Sequence, residues 1–177
     1  MYDFATGCLQ GSNPDTGLVL GADGNFHGGA SGIGVDISSG EDAILFEMTP
    51  KGVLTTLDNF GYPTDLTLMQ ATNGTFYGTT TFQFEGNHPA TIFSLSTGLG
   101  PFVATVPPSR GIGARVIILG QGLTGAASVS FNGVTAQFTV NSDTEISTFV
   151  PVGAKTGYVQ VTTPTGTLST KVVFVVG

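Results

Sequence analysis

Leu18-Val-Leu-Gly-Ala-Asp-Gly-Asn-Phe-His-Gly-Gly29 aligns at one constant offset with Leu68-Met-Gln-Ala-Thr-Asn-Gly-Thr-Phe-Tyr-Gly-Thr79. Leu18 falls on Leu68, Gly24 on Gly74, Phe26 on Phe76 and Gly28 on Gly78. The match extends downstream, where Ala43-Ile-Leu-Phe-Glu-Met48 meets Ala90-Thr-Ile-Phe-Ser-Leu95 after a Gly/Ser/Thr-rich connection of different length. Upstream, Asp3-Phe4 and Pro14 correspond to Asn59-Phe60 and Pro63. Self-similarity at this spacing is the signature of a repeat architecture.

The local chemistry of each unit is that of a β-hairpin. Asp23-Gly24 and Asn73-Gly74 predict two-residue turns, because glycine accepts positive φ freely and Asp or Asn tolerates it. Leu18 and Leu20 before the turn, with Phe26 after it, predict one buried face. Lys51-Gly52 marks a further turn between Phe46-Glu-Met48 and Val53-Leu-Thr-Thr-Leu57. A unit of roughly 45–50 residues with three or four short strands has the size of a propeller blade. The units are expected at 1–57 and 58–103. The first is expected to lack its opening strand, since Met1-Tyr-Asp-Phe4 falls inside the repeat frame, as in a fragment of a longer chain.

Beyond Gly98-Leu-Gly-Pro-Phe-Val-Ala-Thr-Val-Pro-Pro-Ser109 the repeat stops and the pattern changes. Short strands are expected at 114–119, 127–131, 135–140, 145–150, 157–163 and 168–176. Gly120-Gln-Gly122, Asn132-Gly133, Asn141-Ser-Asp143, Pro151-Val-Gly153 and Pro164-Thr-Gly166 separate them. Short strands joined by tight turns over 104–177 predict an immunoglobulin-like β-sandwich. The expected fold class is therefore all-β: two propeller-blade-like repeats followed by a sandwich.

Composition agrees with that class and excludes several functions. Of 177 residues, 40% are hydrophobic, enough for a real core, and 10% are charged, well below the usual quarter. The net charge of −7 is uneven. Residues 1–103 set Lys51 against ten acids, giving −9; residues 104–177 set four bases against Asp143 and Glu145, giving +2. Without a Lys/Arg cluster, nucleic acid is not an expected partner. No apolar stretch approaches the ~20 residues of a membrane helix, and Met1-Tyr-Asp-Phe-Ala-Thr-Gly7 has no signal-peptide pattern. Cys8, the single cysteine, has no partner within the chain.

Two stretches resemble known families. Gly113-Ala-Arg-Val-Ile-Ile-Leu-Gly-Gln-Gly122, Val129-Ser-Phe-Asn-Gly133, Ile146-Ser-Thr-Phe-Val-Pro-Val-Gly153 and Gly157-Tyr-Val-Gln-Val-Thr-Thr163 resemble, in order, the IPT/TIG domain. The first half resembles the GloVer tandem repeats of bacterial surface proteins. It departs from them at His27, where Tyr is expected, and at Met69, Gln70 and Ala71. The resemblance implies a secreted or cell-surface location, with signal and anchor outside this chain. It also implies an immunoglobulin-like spacer or interaction module rather than a chemistry.

The sequence holds no Gly-x-Ser-x-Gly, His-Glu-x-x-His, Cys-x-x-Cys or phosphate-loop motif. The expected function is a non-catalytic structural or interaction module, with carbohydrate or another surface protein as partner. A repeat buries its hydrophobic faces only against neighbours, so self-association through the first half is also expected. The competing reading is a glycoside, ester or phosphate hydrolase with its site in the repeats. Its candidates are His27, Asp23, His88 and Glu85, with Asp23 and His27 able to hold zinc or calcium. Otherwise His27 is an aromatic-equivalent packing residue at the position of Tyr77. Asp15 could add an oxygen for calcium, and Glu41, Asp42 and Glu47 form the densest acidic run. Tyr77, Phe76 and Tyr62 are candidates for stacking on a sugar ring.

Overall fold

The computed structural model describes residues 14, 16–30, 43–61, 65–81 and 89–177. The protein is all-β: among the described residues there are seventeen strands and no helix, so no helix is long and apolar enough to cross a membrane. The chain forms two compact units. One comprises 1–71 with 75–97, the other 72–74 with 98–177.

The first unit contains two antiparallel meanders. Strands β1 (Val19–Leu20), β2 (Phe26–Ala30), β3 (Ile44–Met48) and β4 (Leu54–Asn59) form a four-stranded sheet in chain order. Strands β5 (Leu66–Gln70), β6 (Phe76–Thr80) and β7 (Ile92–Leu95) form a three-stranded one. The repeat read from sequence is a structural repeat, because β2 and β6 occupy the same place in both. Phe26 pairs with Met48 and Phe76 with Leu95; Gly28 pairs with Phe46 and Gly78 with Phe93. β4 pairs with β3 through Asn59, so the first sheet runs past residue 57.

Glycine in the Phe-x-Gly segment has a specific packing reason. A Cβ on Gly28 would stand 2.8 Å from Leu18 Cδ2 and 3.0 Å from Phe46 Cζ, and one on Gly78 would overlap the Phe93 ring and the Thr67 carbonyl. Each repeat thus sets the far end of a phenylalanine ring against the glycine of the neighbouring strand.

The turns differ from the expected two-residue form. Leu20 pairs with Phe26, Gly21 N–H donates to Asn25 O at 2.8 Å, and Gly24 N–H, with φ +83°, donates to Gly21 O at 3.0 Å. This is the three-residue loop that closes with a left-handed glycine. Thr49–Val53 repeats it with Gly52 at φ +84°.

The two sheets stack face to face. In a strand, successive side chains point to opposite faces. His27, Gly29 and Leu45 share one face of the first sheet; Leu66, Gln70 and Phe76 share the facing side of the second. The His27 and Phe76 rings lie 4.2 Å apart at 37°. A Cβ on Gly29 would stand 2.9 Å from Leu66 Cβ, and Ala22 N–H donates to Gln70 Oε1 at 2.7 Å. On the opposite side of the first sheet, Ala30, Ile44 and Phe46 form a second cluster with Met48 and Leu54 packed on it. Leu18 and Leu20, expected to be buried, are about half exposed.

The second unit is a two-sheet sandwich. One sheet orders β13 (Phe138–Ser142), β14 (Glu145–Phe149), β10 (Arg115–Leu119) and β8 (Ala104–Val106). The other orders β12 (Val134–Ala136), β11 (Ser128–Phe131), β15 (Val159–Thr163) and β16 (Gly166–Ser169). Val116, Ile118 and Ile146 from the first meet Val129, Phe131, Val159 and Val161 from the second in one core. Phe131 and Phe174 close it edge to face, with ring centroids 5.1 Å apart. This arrangement is compatible with an immunoglobulin-like fold.

Two stretches read as single strands are broken. Residues 135–140 change sheets at Gln137, leaving β12 in one layer and β13 in the other, and Thr148 Oγ1 donates to the Gln137 carbonyl at 2.7 Å. Residues 168–176 split into β16 and β17 (Val175–Val176). β17 pairs in parallel with β9 (Ser109–Arg110), joining the two extremes of the sandwich. Val103 is fully buried in this core, so the sandwich begins before residue 104.

Candidate functional site

The β1–β2 loop, β2 and β3 bring three potential ligands together. Asp23 lies at the tip of the loop, His27 is the second residue of β2, and Glu47 is the cross-strand partner of His27 on β3. One ligand atom from each lies within 4.8 Å of the others. The three-residue loop makes this possible by turning Asp23 back over the strand, so that Asp23 Oδ1 stands 3.4 Å from His27 Nε2. Gly21 keeps the space open, because a Cβ there would overlap Asp23 Oδ1 and stand 2.6 Å from His27 Nε2. The Gln70 bond to Ala22 N–H fixes the loop from the second sheet.

His27 is completely buried, a rare setting for histidine. One face of its ring packs on Phe76, Nε2 points to Asp23, and Nδ1 has no hydrogen-bond partner among the described residues. Burial of Asp23 opposes its ionisation. The Asn25 backbone N–H (3.2 Å) and the His27 side chain outweigh that effect and hold the carboxyl below its ordinary value of 3.8. Asn25 Nδ2 donates to the other carboxylate oxygen at 3.1 Å.

The other candidates fall elsewhere. His88, Glu85, Tyr62, Asp15, Glu41, Asp42 and Cys8 lie outside the described residues. Phe76 is fully buried, which corrects the expectation that it stacks on a sugar: its face of β6 is the one covered by the first sheet. Tyr77, on the opposite face, is 39% exposed. Glu47 was visible in sequence only as part of an acidic run. Its pairing with His27 depends on the β2–β3 register, which the sequence between the two strands leaves open.

The same structural positions in the second repeat carry none of these groups. Asn73 stands for Asp23, Tyr77 for His27, Ala71 for Gly21 and Ser94, opposite Tyr77 on β7, for Glu47. The chain matches no family model, and no curated protein matches it.

Proposed function

We propose that the chain is a non-catalytic structural and interaction module of a secreted or cell-surface bacterial protein, in which two GloVer-type, propeller-blade-like repeats precede an IPT/TIG immunoglobulin-like domain. The observation that carries this reading is the fate of equivalent faces in the two repeats. On the first sheet, His27, which packs on Phe76 of the second sheet, and Leu45 are both buried. On the second sheet the equivalents face solvent: Met69 is 59% exposed, Tyr77 39% and Ile92 83%. Burying a large apolar side chain is worth about 1.5–3 kcal/mol, so such a face favours a partner.

The partner that best fits is another β-repeat, supplied by a second copy of the chain. The counterparts of Leu68, Gln70 and Phe76 in the first repeat are Leu18, Leu20 and Phe26, and this face is only partly covered. Docking it on the Tyr77 face continues the intramolecular stack head to tail. Sedimentation velocity at tens of micromolar tests this. Association lost in Ile92→Glu and also in Leu20→Glu is expected; a monomer in the unaltered protein would sink the reading. Carbohydrate binding on Tyr77 is the remaining form of the interaction role, read by glycan retention in Tyr77→Ala.

The hydrolase reading draws on the Asp23, His27 and Glu47 cluster. It is less favoured because the His27 ring is closed off from solvent, and a substrate cannot reach a base sealed between two sheets.

A further inference from the structure

We infer that Asp23, His27 and Glu47 form a binding site for one divalent transition-metal ion of the zinc class, a loop-fixing site present in the first repeat and absent from the second.

Three observations converge on this assignment. The first is geometric. Two donor atoms held about 2.0–2.1 Å from a tetrahedral ion stand roughly 3.4 Å apart. The His27 Nε2 to Asp23 Oδ1 separation is 3.4 Å, long for a hydrogen bond and natural for two ligands of one ion. Glu47 is half-buried on the adjacent strand, and its carboxylate lies within 4.8 Å of both. Its side chain has only to close on the ion.

The second is the cost of His27 as a packing residue. A fully buried imidazole with one long polar contact and an unpartnered Nδ1 is an expensive way to fill a space between sheets. An ion on Nε2 replaces that long contact with a coordinate bond and leaves only Nδ1 without a partner among the described residues. A neutral imidazole with two carboxylates also balances the charge of a divalent cation, and an imidazole ligand favours zinc over calcium.

The third is the pattern of differences between repeats. The three ligands change together, to Asn73, Tyr77 and Ser94. The residue whose side chain would block the pocket changes with them, from Gly21 to Ala71. Phe26 and Phe76, and the Gly–Phe pairs, stay the same. Burial against the second sheet accounts for His27 in place of a tyrosine, but it gives no reason for two carboxylates to gather beside the imidazole.

The site has a built-in ceiling on affinity. Metal-bound histidines ordinarily donate their second N–H to an acceptor, and its loss costs roughly 10–100-fold in binding. Nδ1 of His27 has none among the described residues, so zinc is expected to be held roughly 10–100-fold more weakly than at a site with that support.

The test is calorimetric titration of the whole, chelator-treated chain with Zn²⁺ alone, and in parallel with Ca²⁺. One zinc per chain is expected, with calcium at least roughly tenfold weaker. Asp23→Asn and Glu47→Gln each lower zinc affinity by roughly tenfold or more, and Gly21→Ala, which closes the pocket, does the same. The visible spectrum of Co²⁺ in the same position reports nitrogen and oxygen ligation and is lost in these variants. Asp23 and Glu47 are not fully buried, so their variants stay folded by circular dichroism. No stoichiometric zinc binding, equal preference for calcium, or zinc binding indifferent to both carboxylate variants overturns the assignment.

Discussion

The sheet β1–β4 and the sheet β5–β7 carry the same hairpin, the same Gly–Phe cross-strand pair and the same register, yet they present opposite surfaces at equivalent positions. His27 is sealed inside and Tyr77 is at the surface. The backbone plan of a repeat is therefore set by a few positions, such as Gly28, Gly78, Phe46 and Phe93. The remaining positions record what lies against each face. A repeat residue has no burial of its own; its neighbour assigns it.

That comparison breaks first at Phe76. It is the second sheet's main contribution to the stack, and Phe76→Ala is expected to cost about 3–5 kcal/mol in denaturant unfolding. The equivalent Phe26→Ala, on a partly covered face, costs clearly less. If the two losses were equal, the stacking asymmetry would be wrong.

The Gly–Phe pairs give the next largest effect. Gly78→Ala forces a methyl into the Phe93 ring and the Thr67 carbonyl and is expected to destabilise by about 1–3 kcal/mol. Gly28→Ala is milder, because its nearest neighbour is the flexible end of Leu18, which is half exposed and can swing away.

Exchanging the aromatic position sharpens the contrast further. His27→Tyr overfills the space against Phe76 and costs about 1–3 kcal/mol, whereas Tyr77→His stays within about 0.5 kcal/mol. Thermal melts of the two variants check this ordering.

The smallest effect is electrostatic. The Asp23 carboxyl titrates below its ordinary value of 3.8 in the folded chain, so its contribution is fully present above the unfolded value and is lost as pH falls through the folded one. With solvent screening it amounts to under about 1 kcal/mol. In chelator, the stability difference between the unaltered protein and Asp23→Asn is expected to shrink between pH 5 and pH 2.

The sequence carried the strands and the repeat because hydrophobic alternation and an Asx-Gly dipeptide are local signals. Loop length was less legible. Asn132-Gly133 forms a true two-residue turn with both residues at positive φ, while Asp23-Gly24 belongs to a three-residue loop. The dipeptide is the same; the ladder around it decides how many residues join the turn. The sheet change at Gln137 was hidden for a related reason, since 135–140 keeps its alternation through the crossing. In the candidate site, Asp23 and His27 were visible as neighbours across a turn. Glu47 was not, because only the strand register brings it beside the imidazole.

The parallel pairing of Ser109–Arg110 with Val175–Val176 has a mechanical meaning. Val175 N–H donates to Pro108 O at 3.0 Å and Gly177 N–H to Arg110 O at 3.2 Å. Because these strands run in the same direction, tension on the chain entering at one and leaving at the other loads their hydrogen bonds in shear. The bonds must then fail together instead of peeling apart one after another. A domain latched this way would resist being drawn apart from its two ends.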